Sequence, residues 1–174
     1  MGLAMVHGII KSHNGSITCK STVGKGTTFH IVLPVTASSQ QKESRISNEP
    51  ARGHERILLV DDEEILVEMG KTMLARLGYV VTASNNGLDA LATFMKQPNA
   101  FDMIITDQTM PGITGIDLAK RVLEIRPDLP IILCTGFSNI VSEETAKHYG
   151  VKGFCLKPLT KREISKKIRE LLDP

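Results

Sequence analysis

The sequence predicts an α/β fold: a five-stranded parallel sheet with helices on both faces, preceded by a small helix and β-hairpin. Three observations carry this. Short strand-like runs rich in apolar residues recur five times from residue 55 onward, and the first, Ile57-Leu58-Leu59-Val60, is unbroken, the pattern of a strand covered on both faces. Each run is followed by apolar positions three and four apart, the stripe of a core-facing helix. A polar stretch over residues 35–54 separates this region from a shorter pattern, helix then two strands, over residues 1–34.

Residues 1–34 open with an amphipathic helical stretch, and Gly24-Lys25-Gly26 reads as the turn of a hairpin. Residues 35–54 are short of large apolar groups and cannot offset their own ordering entropy, so they are expected to form a flexible linker. A coil of that length spans ~25 Å r.m.s.. Residues 55–174 then form one domain. Ile57-Leu58-Leu59-Val60 is its first strand; Leu66, Met69, Met73, Leu74 and Leu77 follow at helical spacing and stop at Gly78. Val80 to Ala83 is the second strand, and Leu88 to Lys96 the second helix, closed by Pro98. Met103 to Thr106 is the third strand, with a helix from Ile116 to Ile125 before Pro127. Ile131 to Cys134 is the fourth, followed by a weakly patterned helix from Ile140 to Tyr149. Val151 to Leu156 is the fifth, and a last helix opens with the capping box Thr160-x-x-Glu163. Short links and right-handed crossovers favour the flavodoxin-like order 2-1-3-4-5.

Composition narrows the function. A net charge of +2 is too small to argue for nucleic acid or an anionic membrane as partner. No run of eighteen apolar residues exists to span a bilayer, and the N-terminus lacks a secretory pattern, so a cytoplasmic location is expected. Cys19, Cys134 and Cys155 form no C-x-x-C pair and are expected to be reduced core or near-core thiols.

Ligands of such sheets sit beyond the carboxyl ends of the strands. Strand one ends in Asp61-Asp62, strand three in Asp107, strand four in Thr135-Gly136 and strand five in Lys157-Pro158. Singly these have ordinary readings: acids open helices, end strands, or sit in turns. Together they bring three carboxylates, a hydroxyl and an ammonium to one edge. Carboxylates so crowded repel unless a cation intervenes. Mg²⁺, a hard ion that keeps several waters, suits such a set. Lys157 suits an incoming anion, and a carboxylate is the available nucleophile: a phosphoryl pocket.

The segments ILLVDDEE, IITDQTMPGITG, CTGF and GFCLKPL resemble the receiver domains of bacterial response regulators and hybrid kinases, over more than two-thirds of the chain. The resemblance implies Asp107 as phosphoacceptor, with a phosphohistidine on a histidine kinase or phosphotransfer domain as donor. It further implies Asp62 as a direct Mg²⁺ ligand, Asp61 mostly through water, and the Thr109 carbonyl as a third protein ligand. Lys157 would hold a phosphoryl oxygen, and Thr135 with Phe154 would be the switch pair. Thr109 and Phe137 flank the path of a hydrolytic water and carry no carboxylate or amide to orient it, so slow self-dephosphorylation is expected. The alternative is a Mg²⁺-dependent phosphohydrolase with an aspartyl-phosphate; those carry a second acid where Thr109 stands, and a cap domain this chain is too short to hold.

Residues 1–34 resemble the last third of the ATP-binding domain of sensor histidine kinases. Gly2-Leu3-Ala4 would end its glycine-rich lid, Gly2 being a non-functional remnant of ATP binding, and Gly24, Gly26, Thr27 and Phe29 its closing motif. The rest of that domain would lie upstream of Met1, so no kinase activity is expected from this piece itself. Its uncovered apolar strand surface leaves mobility, self-association as a homodimer, and docking on the receiver all open. No histidine lies in the context of a kinase phosphoacceptor: His54-Glu55 abuts strand one rather than a dimerisation helix.

Overall fold

The computed structural model describes residues 3–34, 50–136 and 143–173. Two compact units divide after Ser47. Gly2, Phe137 and most of the expected linker lie outside the described residues. Where the chain resumes, the Gly53 N–H donates to the Leu77 carbonyl (3.1 Å). The last residues of the expected linker are therefore tied to the second unit.

In the first unit, α1 (Leu3–Ser12) leads to an antiparallel pair, β1 (Ser16–Thr22) and β2 (Gly26–Val32), with Ile17 opposite Ile31 and Cys19 opposite Phe29. Gly24 (φ 74°) and Gly26 (φ 101°) take left-handed conformations at the turn, as the Gly-Lys-Gly text requires. Ile10 is buried, but Val6, Ile9, Phe29, Ile31, Val32 and Leu33 stay exposed. Cys19 is exposed as well, against the expectation of a core thiol. Among the described residues of this unit, one helix beside a two-stranded sheet is too little to cover these side chains.

The second unit alternates strictly: β3 (Arg56–Val60), α2 (Glu64–Arg76), β4 (Val80–Ser84), α3 (Gly87–Lys96), β5 (Met103–Asp107), α4 (Gly115–Ile125), β6 (Ile131–Thr135), α5 (Glu143–His148), β7 (Gly153–Leu156) and α6 (Lys161–Leu172). The sheet is parallel throughout, in the order β4-β3-β5-β6-β7, which is the expected 2-1-3-4-5. The fifth strand starts at Gly153, two residues later than expected. Strand alternation distributes the core into two layers. Leu58, Val60, Ile104, Ile131 and Leu133 face α3 and α4, whereas Ile57, Leu59, Ile105, Ile132 and Cys134 face α2 and α6. Both Cys134 and Cys155 are buried free thiols.

Helix boundaries follow local chemistry. The Asn86 carboxamide caps α3 by accepting from Leu88 N and Asp89 N. Thr160 caps α6 by accepting from Glu163 N, and its hydroxyl also donates to the Glu163 carboxylate. Gly78 ends the α2 turn at φ 101°, where an added Cβ would collide with the Gly53 carbonyl oxygen.

Candidate functional site

Each strand end is fixed by backbone hydrogen bonds before any side chain is placed. Asp61 N donates to Ser84 O (3.2 Å), Gln108 N to Cys134 O (2.8 Å) and Lys157 N to Thr135 O (2.8 Å). These bonds hold the carboxyl ends of β3, β5 and β6 beside the residues that follow β7. Period-two alternation then puts Asp61, in phase with Ile57 and Leu59, on the α2/α6 side of the sheet. Asp107, in phase with Met103 and Ile105, falls on the same side.

The result is a compact ion-pair cluster. Lys157 Nζ lies 2.6 Å from Asp61 Oδ2 and 2.6 Å from Asp107 Oδ1. Two contacts of 2.6 Å to a single atom put these carboxylate oxygens within 5.2 Å of each other. Their other oxygens accept backbone N–H groups, Asp61 Oδ1 from Glu63 (3.1 Å) and Asp107 Oδ2 from Thr109 (2.7 Å). Both carboxylates are buried, and Thr106 Oγ1 donates to the Asp107 carbonyl (3.0 Å). Burial by itself would lower the pKa of Lys157. The hydrogen bonds it donates to Asp107 and Asp61 outweigh it and raise the ammonium above the ordinary lysine value.

Not every expected residue joins the cluster. Asp62 is exposed, and among the described residues no three acidic, histidine or cysteine groups stand close enough to hold a metal. Thr135 is buried but, in phase with Ile131 and Leu133, falls on the opposite side of the sheet from Asp107; its hydroxyl donates to Gly136 O (3.3 Å). Phe154, opposite Leu133 in the β6–β7 ladder, packs half-buried on that same side. Thr109 is exposed in the loop after β5. Phosphoacceptor, acid and lysine thus meet on one side, and the two residues expected to switch stand together on the other.

The donor set can be tested against Mg²⁺ on its chemistry. Two carboxylates share one ammonium, so hard anionic oxygens exceed the positive charge between them. That is an environment in which an oxygen-seeking divalent ion gains. Asp62, one residue from Asp61 and facing solvent, has side-chain freedom to turn toward such an ion.

Two supports escaped the sequence. Gln108 is buried, and its Oε1 accepts from Ile116 N (3.2 Å) while Gly115 N donates to Gln108 O (3.0 Å), clamping the loop after β5 to the start of α4. At Gly115 a Cβ would run into the Asp107 carbonyl and lie 2.6 Å from Leu133 Cδ1, so only glycine lets α4 start there. The glycine at a helix start was a readable signal; the glutamine carried none.

Residues 57–169 match the family described as response regulator receiver domain. Among curated proteins the chain is similar to the sensor kinase CckA of Brucella abortus (strain 2308). The two are 30% identical over 182 residues, which cover 99% of this chain and 19% of that protein. It is also similar to the aerobic respiration control sensor protein ArcB of Escherichia coli (strain K12), 26% identical over 179 residues, 99% of this chain and 22% of the relative. The chain therefore spans a small part of the curated relatives it matches. Among solved structures, a response regulator receiver domain protein from Clostridium thermocellum gives a TM-score of 0.66 at 27% identity, covering 68% of this chain and 94% of that one. The chemotaxis protein CheY4 of Vibrio cholerae gives 0.63 at 29% identity, covering 69% and 100%.

Proposed function

Because the chain belongs to the response regulator receiver family through residues 57–169, we propose that Asp107 accepts a phosphoryl group from a phosphohistidine and that the chain is the C-terminal part of a hybrid histidine kinase. The observation that carries the first part is the Asp61–Lys157–Asp107 cluster at the carboxyl edge of the sheet. In the transfer an Asp107 carboxylate oxygen forms a bond to phosphorus as the bond from phosphorus to the donor imidazole nitrogen breaks. The Thr109 N–H and the half-buried Lys157 ammonium hold the carboxylate in place, and Lys157 then follows the charge onto the phosphoryl oxygens. Asp62, Asp107, the Thr109 carbonyl and, mostly through water, Asp61 would hold Mg²⁺, which would supply charge neutralisation there.

Thr135 and Phe154 are the switch pair in this reading. Their shared side of the sheet lets a movement of the Thr135 hydroxyl toward a phosphorylated Asp107 vacate space that the half-buried Phe154 ring fills. Conversion from 1:99 to 99:1 takes about 5.5 kcal/mol, within reach of a phosphoryl group making several charge-assisted contacts. Support for the hybrid-kinase origin comes from the match to CckA, which runs through residues 1–34 as well as the receiver. A phosphohydrolase is not favoured: Thr109 stands where its second acid belongs.

Acetyl phosphate with Mg²⁺ tests the proposal. The chain should take up about one phosphoryl group and hold it for minutes or longer, and Asp107→Asn should take up none. Continuous release of phosphate without accumulation of label would point to a hydrolase instead.

A further inference from the structure

A cavity of about 420 Å³ opens between α2 and the sheet, and the phosphoacceptor cluster forms only its floor. Its walls are apolar: Leu66, Met69 and Met73 from α2, with Leu159 from the segment after β7. Gly70 contributes no side chain on the α2 side, and Met69 is 64% exposed at the mouth. The floor is Asp61, Asp107 and Lys157. An apolar pocket with a few convergent polar groups, of ~300–1,000 Å³, is the usual form of a small-molecule site. Methionine walls adapt to the shape of what enters. Phosphoryl transfer uses the floor and leaves these walls without a role.

We propose that this cavity binds a small amphiphilic amine, its apolar body against Leu66, Met69, Met73 and Leu159 and its ammonium at the Asp61 and Asp107 carboxylates. The charge on the floor decides the head group. Without Mg²⁺, two carboxylates share a single lysine, so a second ammonium is attracted, while an anion meets two like charges to gain one hydrogen bond from Lys157; a phosphoryl donor enters only once Mg²⁺ has neutralised them. Resting on the receiver reading above, the amine and Mg²⁺ satisfy the same carboxylates, so each weakens the other by the same factor. An occupied cavity therefore slows phosphoryl uptake at Asp107.

The test uses the whole chain with methionine methyl groups labelled with ¹³C, titrated with 4-phenylbutylamine in the absence of Mg²⁺. The Met69 and Met73 methyl resonances should shift and saturate with a Kd of about 0.1–1 mM, as a ligand of this size allows. Met95, exposed on α3, should not move. Millimolar Mg²⁺ should weaken the amine at least about threefold, and Met69→Lys, a change at an exposed position, about fivefold through charge repulsion. The proposal is overturned by unsaturable or absent shifts at Met69 and Met73, by 4-phenylbutyrate binding as tightly as the amine, or by affinity indifferent to Mg²⁺. Labelling by acetyl phosphate with no amine binding removes this inference alone. Amine binding without labelling removes the receiver reading and leaves the cavity site standing.

Discussion

Replacing Lys157 with methionine removes the charge but keeps most of the side-chain volume, and the structure sets the size of the effect. Asp61 and Asp107 then face each other with oxygens no more than 5.2 Å apart and nothing between them. At an effective dielectric of about 20, that repulsion is about 3 kcal/mol. Side-chain rotation relieves part, since Lys157 retains 22% exposure and water reaches the cluster. The expected destabilisation is about 2–3 kcal/mol in urea unfolding with EDTA present. Millimolar Mg²⁺ should restore most of it and should stabilise the variant more than the wild type, because the ion no longer competes with an ammonium. A variant as stable as wild type in EDTA, or one indifferent to Mg²⁺, would refute the reasoning that these three side chains form one charge-coupled cluster.

Two further outcomes follow from the same fold. Gly115→Ala forces a methyl group against the Asp107 carbonyl and Leu133, so thermal unfolding should report a loss of about 1–3 kcal/mol, with slower phosphoryl uptake as the end of β5 shifts. The Arg126 hydrogen bonds, followed by a backbone contact, hold the Asp128 carboxyl down at about 2. A carboxyl depressed in the folded state stabilises above its unfolded pKa of about 3.9, and that contribution disappears as pH falls from there through the folded value. Arg126→Ala should return the Asp128 titration, followed by carboxylate ¹³C NMR, to the ordinary range and remove its share of the acid-side loss of stability; an unmoved titration would mean the pair does not form in solution.

Much of this was readable because the governing signals are local. Apolar runs such as Ile57–Val60 and Ile131–Cys134 admit few structures other than a doubly covered strand, and once five are placed, the parallel order brings Asp61, Asp107 and Lys157 to one edge. What escaped depends on side-chain direction rather than chain position. Asp62 and Thr135 sit at the right strand ends, but one side chain faces solvent and the other the opposite layer of the sheet. Phase within a strand, counted from Ile131 and Leu133, would have foretold the direction of Thr135. The first unit shows the limit of composition: Cys19 alternates with polar residues as a half-buried strand residue does, yet it is exposed, and among the described residues of that unit no layer covers it. The cavity behind Lys157 had no sequence signal, since a space between α2 and the sheet depends on how Gly70, Met69 and Met73 pack.

The most direct measurement is the location of the phosphoryl group itself. The chain is incubated with acetyl phosphate and Mg²⁺, the acyl phosphate is reduced with borohydride, and the modified residue is read by peptide mass spectrometry. Homoserine at position 107, absent when Mg²⁺ is chelated, is the result expected here; modification at Asp61 or Asp62, or none at any aspartate with Mg²⁺ present, would contradict the role assigned to Asp107.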